Sequence, residues 1–325
     1  MNRFKKILCV VADGCANELA LARAATLAAH NKAKLTVLEV VDEIPPNTKL
    51  LDRTLFPDIQ EKIVAAKTEL LEALVAPWQN KAPITTKIVS GVLFLDVIRE
   101  VLRSNADLVI KATDNDSFLK RVFGSDDMRL TRKCPCPVWL VNSASEDTIR
   151  CIVAAIDVDD CYRDEEIDTR QDLNRTILQI ASSLAQRENA ELHIVHVRRQ
   201  IDEAVVRAGL KDSPETDISA YLETAHRRHL KGLQALMDAR IEELDQEIIA
   251  AAKFDIHWLE GAPQDEIATF STSVKADLLV MGTVARTGIP GLFMGNTAEA
   301  IQDRIECSLL AVKPTGFVSP ITIEG

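Results

Sequence analysis

Glycines near the carboxyl end of the chain have the spacing of an anion-binding loop. An apolar stretch over Asp277–Met281 leads into Gly282, a loop follows, and Gly295 and Asn296 precede a stretch with helical character and a last apolar strand. Glycine lets backbone N–H groups approach an anion closely, and a helix N-terminus offers unpaired donors and a favourable dipole. This order of elements predicts a phosphate site.

The spacing resembles the nucleotide signature of universal stress proteins, Gly-x2-Gly-x9-Gly-Ser/Thr. Gly282 and Gly295 match two marked positions, Ala285 stands for the second glycine, and Asn296 stands for the hydroxyl residue. Alanine adds only a methyl group, and asparagine can cap a helix and donate through its amide, so both substitutions are compatible with an anion site. The resemblance is to a tandem universal stress protein of the E type, and it covers nearly all of the chain.

The resemblance implies an adenine nucleotide pocket in the second half. Asp157 would hydrogen-bond the base or ribose, Val197 would offer backbone groups to adenine, and Arg286 would add a cation beside the phosphates. The implied nucleotide-binding set is Ala155, Ile156, Asp157, Val197, Met281, Gly282, Ala285, Arg286, Gly295, Asn296 and Thr297. The expected cofactor is ATP, with or without Mg²⁺, in the second half only.

The same residues also have a purely structural interpretation. In it Asp157 caps the next helix and the glycines shape a tight loop. We predict no catalytic residue and no resident metal, because the loop offers only threonine hydroxyls and Asp157 as one carboxylate for hydrolysis. The sequence has neither a Walker lysine motif nor a GxSxG elbow. Slow ATP hydrolysis is left open.

The chain repeats itself. Four apolar strands recur: Lys6–Asp13 as Cys151–Asp157, Leu35–Val40 as Leu192–Val197, Ala106–Ile110 as Ala276–Val280, and Cys136–Val141 as Cys307–Val312. Their apolar runs are continuous, as in parallel strands that are buried on both faces, and helical segments separate them. Repetition of this kind predicts two homologous halves.

We therefore predict an α/β protein with two tandem doubly wound parallel-sheet domains, Rossmann-like and, by the resemblance, of the adenine nucleotide alpha hydrolase-like type. The first domain is expected over residues 1–143 and the second over 149–316, followed by a tail at 317–325. The short polar linker predicts that the domains pack on each other through their last strands, 137–141 and 309–312. A homodimer is left open.

The first half carries a degenerate version of the loop. Its equivalents of the site are Asp13, Ala112, Asn115, Gly124 and Ser125. Asp126 and Asp127 follow directly, and their carboxylates are expected to repel a phosphate. The sequence predicts a structural or regulatory role for this half, and another small molecule there is left open.

Composition limits the classes of partner. The formal net charge is −11 and the sequence pI is about 5.1, which argues against nucleic acid and against an anionic membrane. No apolar run reaches the ~18 residues of a membrane span, and the short run after Lys6 is interpreted as a strand and not as a leader. Seven cysteines favour reduced thiols and a cytoplasmic location.

Histidines and two close cysteines are interpreted as structural. His193 and His196 point to opposite faces of a strand and are not expected to share a ligand, and His226 and His229 are expected on a solvated basic face. Cys134-Pro135-Cys136 is closer than the usual CxxC spacing, so core packing is expected, with a thiol switch as the alternative.

Three functions stay in competition. The preferred one is a cytoplasmic stress-response protein that binds ATP in its C-terminal domain and acts through regulatory or protein–protein interaction. The alternatives are a scaffold that binds no nucleotide, contacting a partner through the inserted helix predicted over Ile218–Ala252, and a slow ATPase. Nucleotide retained through purification would separate the first from the second.

Overall fold

The computed structural model describes residues 3–13, 17–44, 58–113, 126–142, 147–158, 164–198, 214–221, 223–224, 227, 231, 254–283 and 296–323. These residues form two compact units. The first contains the described residues up to 147 and those from 307 onward, and the second contains 148–283 and 296–306.

The first unit contains six neighbouring strands of the sheet. Its strands are β1 (Lys6–Val11), β2 (Lys34–Val41), β3 (Ile84–Ser90), β4 (Leu108–Ala112), β5 (Val138–Val141) and β10 (Ser308–Val312). They lie in the order β3-β2-β1-β4-β5-β10. The first five are parallel, and β10 pairs antiparallel with β5, with Leu310 opposite Trp139.

Helices separate the parallel strands of this unit. They are α1 (Asn17–Asn31), α2 (Ile59–Val75) with a 3-10 turn at Ala76–Trp78, α3 (Leu93–Ser104) and α4 (Asp126–Lys133). In α3 the buried side chains Val97, Ile98 and Val101 recur at three-and-four spacing, which places one apolar stripe against the unit's core. Asn105 ends the helix in the left-handed conformation, with φ of 52°.

The second unit repeats the first four strands. It contains β6 (Cys151–Ile156), α5 (Asp164–Glu188), β7 (Glu191–Arg198), β8 (Phe254–Glu260), α6 (Pro263–Ser273), β9 (Leu278–Gly282) and α7 (Asn296–Gln302). Its strands are parallel in the order β9-β6-β7-β8, which matches β4-β1-β2-β3 of the first unit. Of the predicted inserted helix, residues 218–221 are helical, and most of the rest lies outside the described residues.

The predicted α/β fold, with helices alternating with mostly parallel strands in two tandem doubly wound domains, is confirmed. Every residue of β4 and β6 is buried, as the continuous apolar runs indicated. The strand β10 pairs with β5 and groups with the first unit, while the domain boundaries of 1–143, 149–316 and 317–325 stay predictions. Among the described helices, none has the length and apolar composition needed to cross a membrane.

Candidate functional site

A cavity of about 130 Å³ lies at the carboxyl ends of β6, β7 and β9. This edge of a parallel sheet is the usual place for a ligand in open α/β folds. The residues that line it are Ala155, Ile156, Asp157, Arg170, Leu173, Asn174, Ile177, Val197, Pro263, Ile267, Met281, Gly282, Thr297 and Ile301. The wall is therefore mostly apolar, with a few polar groups at one side.

The predicted site residues that the structure describes come together here. They are Ala155, Ile156, Asp157, Val197, Met281, Gly282 and Thr297, and all of them line the cavity. Ala285, Arg286 and Gly295 lie outside the described residues. Asn296 is the first residue of α7, and its side chain is also outside the description.

Asp157 is held in place by two side chains of α5. Its Oδ2 accepts a hydrogen bond from Arg170 Nη1 at 2.7 Å. Its backbone N–H donates to Asn174 Oδ1 at 3.1 Å, and Asn174 Nδ2 donates to the Asp157 carbonyl at 2.6 Å. The Asp157 side chain is 42% exposed although it is paired, so it stays accessible from the cavity. The carboxylate is thus oriented toward Arg170 as well as being open to a ligand.

Packing inside the unit favours a glycine at position 282. A Cβ atom at this position would lie 2.6 Å from Leu173 Cδ2 and 3.2 Å from Leu173 Cγ. Ile177 Cδ1 would be 3.6 Å away. The α5 helix therefore lies directly over the end of β9. This close approach explains a glycine at position 282 whether or not a phosphate binds nearby.

The amino-terminal part of α5 contributes wall residues that sequence reasoning missed. Asn17 in the first unit makes the same two hydrogen bonds as Asn174, to the backbone N–H and carbonyl of Ala12. Asn17 is the first residue of α1, whereas α5 already begins at Asp164 and so carries Arg170 and Leu173 ahead of Asn174. The predicted helix began only at Arg175, because residues 164–172 are too polar to show a helical apolar period.

The predicted equivalence of Asp13 with Asp157 is wrong by one residue. Ile7 pairs with Leu108 just as Ile152 pairs with Leu278, so Ala12 occupies the position of Asp157. The shared asparagine contacts lead to the same alignment. Asp13 is an exposed residue that pairs with Lys67 at 2.5 Å, and the first unit therefore has no carboxylate at the Asp157 position.

The first unit has a buried ion pair at another position of the site. Ala112 and Gly282 end equivalent strands, so Lys111 corresponds to Met281. The Lys111 side chain is fully buried, its Nζ lies 2.9 Å from Asp127 Oδ1, and it donates to the Ala112 carbonyl. Asp127 corresponds to Ala298 if Gly124 is aligned with Gly295. The predicted repulsion of a phosphate by Asp127 therefore needs correction, because Lys111 neutralises this carboxylate.

The close cysteines lie in the core of the first unit. Cys134 and Cys136 are both free and buried, with their Sγ atoms 3.6 Å apart. Nearby, Lys313 Nζ donates to the carbonyls of Thr131 and Arg132, at the C-terminal end of α4. Burial lowers the pKa of Lys313 to about 8. This environment is that of packed side chains next to a helix end.

Comparison with known proteins identifies the family. A family model described as the universal stress protein family matches residues 3–142 and 167–313. The chain belongs to the universal stress protein family. It carries two such domains in tandem, in the manner of the E type, and it is thus a protein of the stress response.

Relatives of this family match the chain over its whole length. The universal stress protein E homolog of Haemophilus influenzae is 29% identical over 328 residues, which cover 96% of this chain and 98% of the relative. Universal stress protein E of Escherichia coli K12 is 27% identical over 338 residues, which cover 100% and 98%. Among solved structures, a functionally unknown protein of Pseudomonas aeruginosa PAO1 is similar with a TM-score of 0.69 and 25% identity, over 96% of this chain and 94% of that one.

Proposed function

We propose that this universal stress protein is cytoplasmic and binds ATP, or another adenine nucleotide, in its second unit. The observation that carries the proposal is that two residues flanking the signature loop lie on one cavity wall. Gly282, where the loop begins, and Thr297, just after it ends, both line the cavity at the carboxyl ends of the strands. In this proposal the residues between these two ends offer their backbone N–H groups to a phosphate bound at the same edge.

The apolar wall suits a purine base. Ala155, Ile156, Val197 and Met281 offer hydrocarbon surface, and backbone groups near Val197 supply polar partners for the ring. At about 130 Å³ the cavity is similar in volume to cavities of about 150 Å³ that bind a single aromatic ring. The triphosphate would extend from the cavity toward the glycine loop.

Asp157 and Arg170 give the ribose a polar partner. Arg170 binds one carboxylate oxygen of Asp157 and so fixes the carboxylate plane, while the side chain remains accessible to a ligand. A carboxylate held in this way accepts hydrogen bonds from ribose hydroxyls without losing side-chain entropy on binding. No residue of the cavity has a catalytic role here, and the bound nucleotide regulates interactions with partners.

The first unit has a structural role in this proposal. Lys111 and Asp127 lie where Met281 and Ala298 lie in the second unit, and Ala12 replaces the carboxylate of Asp157. A nucleotide would have to displace a buried ion pair there. We therefore expect one nucleotide for each chain.

The test is nucleotide content and affinity measured in matched variants. Protein purified without added nucleotide is denatured and the released small molecules are identified by mass spectrometry, and ATP is then titrated by calorimetry. We expect about one equivalent per chain and loss of binding in Gly295→Asp, because a carboxylate would repel the phosphates and the side chain would block backbone approach.

Gly124→Asp is the matched control. It places the same carboxylate in the first half's loop, and we expect it to leave the stoichiometry unchanged. Wild-type protein that neither retains nor binds nucleotide would refute the proposal. Unchanged affinity in Gly295→Asp would refute the assignment of the loop.

A further inference from the structure

Three potential metal ligands share one face of the second unit's sheet. His193 on β7 is directly paired with Asp255 on β8, and His257 follows Asp255 by two residues. Side chains two residues apart on a strand point to the same face, and directly paired residues do so as well. The register alone therefore places the two imidazoles and the carboxylate side by side.

The two imidazoles are in contact. His193 Nδ1 lies 3.0 Å from His257 Nε2, and the ligand atoms of all three residues lie within 4.8 Å of one another. Phe270 of α6 packs on both rings, with ring centroids 5.9 Å from His193 and 4.5 Å from His257. These contacts restrict both rings, whereas Asp255 is exposed and is able to rotate.

We propose that His193, His257 and Asp255 bind a divalent transition-metal ion of the zinc type. In a tetrahedral site with Zn–N bonds of 2.0–2.1 Å, the two nitrogen atoms would be about 3.4 Å apart, so the observed pair has to open by only a few tenths of an ångström. Two imidazoles and one carboxylate leave a fourth position for water, which is the ligand count of zinc sites with an exchangeable position.

This site is separate from the nucleotide cavity. His193 precedes Val197 by four residues on β7, which is about 13 Å along a strand. Asp255 lies near the amino end of β8, whereas the cavity is at the carboxyl ends of the strands. The strand β8 is last in the order of the unit's described strands, so a metal ion here would clamp that strand to β7.

The test is metal binding by tag-free protein that has first been freed of metal with a chelator. Zn²⁺ is titrated by calorimetry, and Co²⁺ is used as a visible-absorption probe of tetrahedral coordination. We expect one equivalent per chain, loss of that binding in His193→Ala and in His257→Ala, and affinity weaker by about 10-fold or more in Asp255→Asn. Zn²⁺ should also raise the melting temperature of the wild type and not that of His257→Ala.

His30→Ala is the matched control for removing a histidine. His30 lies on α1 in the first unit, where its ring contacts the Thr26 carbonyl, and we expect this variant to bind Zn²⁺ as the wild type does. The double variant His226→Ala/His229→Ala controls for a second histidine pair, whose members are three residues apart in the sequence. Circular dichroism of each metal-free variant shows whether it is folded.

Three outcomes would overturn the assignment. They are no stoichiometric Zn²⁺ binding by the wild type, binding retained in folded His193→Ala/His257→Ala, and binding lost in His226→Ala/His229→Ala with the His193 pair intact. Because His193 and His257 are not cavity residues, these results do not depend on whether ATP binds.

Discussion

The two units differ at the carboxyl ends of two equivalent strands, β4 and β9. The last two residues of β4 are Lys111 and Ala112, and those of β9 are Met281 and Gly282. In the first unit the lysine is fully buried against Asp127, while in the second unit the methionine and the glycine line a cavity. At this edge a doubly wound unit can thus contain either a buried ion pair or an open cavity.

The difference shows which residues distinguish the cavity of the second unit from the strand framework that both units share. Both units keep the asparagine that fixes the backbone after the first strand, Asn17 and Asn174. Among the described residues, the second unit alone has an aspartate at that point, an arginine that orients it, and helical residues ahead of the asparagine that cover the cavity. The framework is shared, whereas the wall differs residue by residue.

The largest expected effect comes from removing one partner of the buried ion pair. Asp127→Ala leaves the Lys111 ammonium buried without its carboxylate, and we expect a loss of about 3–5 kcal/mol in the free energy of unfolding. The double variant Lys111→Met/Asp127→Ala installs the residues of the second unit and should recover most of that loss. Denaturant unfolding of the two variants measures both numbers.

Asp126→Ala is the control for that pair. Asp126 is the neighbouring residue, and its pairing with Arg129 at 3.5 Å is partly exposed, so we expect a change of only about 0.2–1 kcal/mol. If Asp127→Ala were no more destabilising than Asp126→Ala, the ion pair would not be what completes the first unit's edge.

A second buried lysine of the first unit is expected to make the free energy of unfolding depend on pH. Lys313 donates to helix-end carbonyls, and burial lowers its pKa to about 8 from 10.5. Between these two values the unfolded chain binds a proton that the folded chain does not, so the free energy of unfolding rises with pH across the window. A pKa shift of this size corresponds to a cost of about 3 kcal/mol in the free energy of folding. This cost is fully present below pH 8 and disappears as the pH rises to 10.5.

Lys313→Met should remove this rise. The difference in unfolding free energy between wild type and variant is expected to grow in favour of the wild type from pH 8 to 10.5. Urea titrations at several pH values measure it, and the other lysines of the chain cancel in the difference. Parallel curves for the two proteins would show that the amine is not desolvated as the fold indicates.

The sequence predicted the fold and half of the residues that line the cavity, because both depend on apolar runs and on residues at strand ends. Long uninterrupted runs such as Cys151–Ile156 indicated parallel strands, and Asp157, Val197 and Gly282 follow from where those strands end. Parallel strands bring their carboxyl ends to one edge, so the positions converge whatever the intervening chain does.

What the sequence did not show depends on register and on distant contacts. Asp13 was matched to Asp157 by residue type, and only strand pairing places Ala12 there. Lys111 is a single lysine in an apolar run, and its partner follows a loop. His193 and His257 are 64 residues apart and meet through the pairing of β7 with β8, which no local pattern reveals.

The smallest effect is expected at the last residue of the equivalent strands β4 and β9. The first unit has Ala112 where the second has Gly282, and Gly282→Ala would place a methyl group 2.6 Å from Leu173 Cδ2. Leu173 has a flexible side chain that can move, so we expect a cost of about 1–2 kcal/mol, at the lower end for overpacking. Denaturant unfolding measures this cost, and Ala112→Gly is the reciprocal change in the first unit.

Leu173→Ala combined with Gly282→Ala separates packing from ligand binding at this glycine. If α5 alone demands the glycine, Leu173→Ala supplies the missing space, so Gly282→Ala should add almost no further cost in that background. If the glycine also lets the backbone approach a phosphate, the pair restores packing while ATP affinity stays reduced relative to Leu173→Ala alone. A Gly282→Ala cost that is the same with and without Leu173 would contradict the close approach of α5 to β9, and with it the covered cavity that distinguishes the second unit from the first.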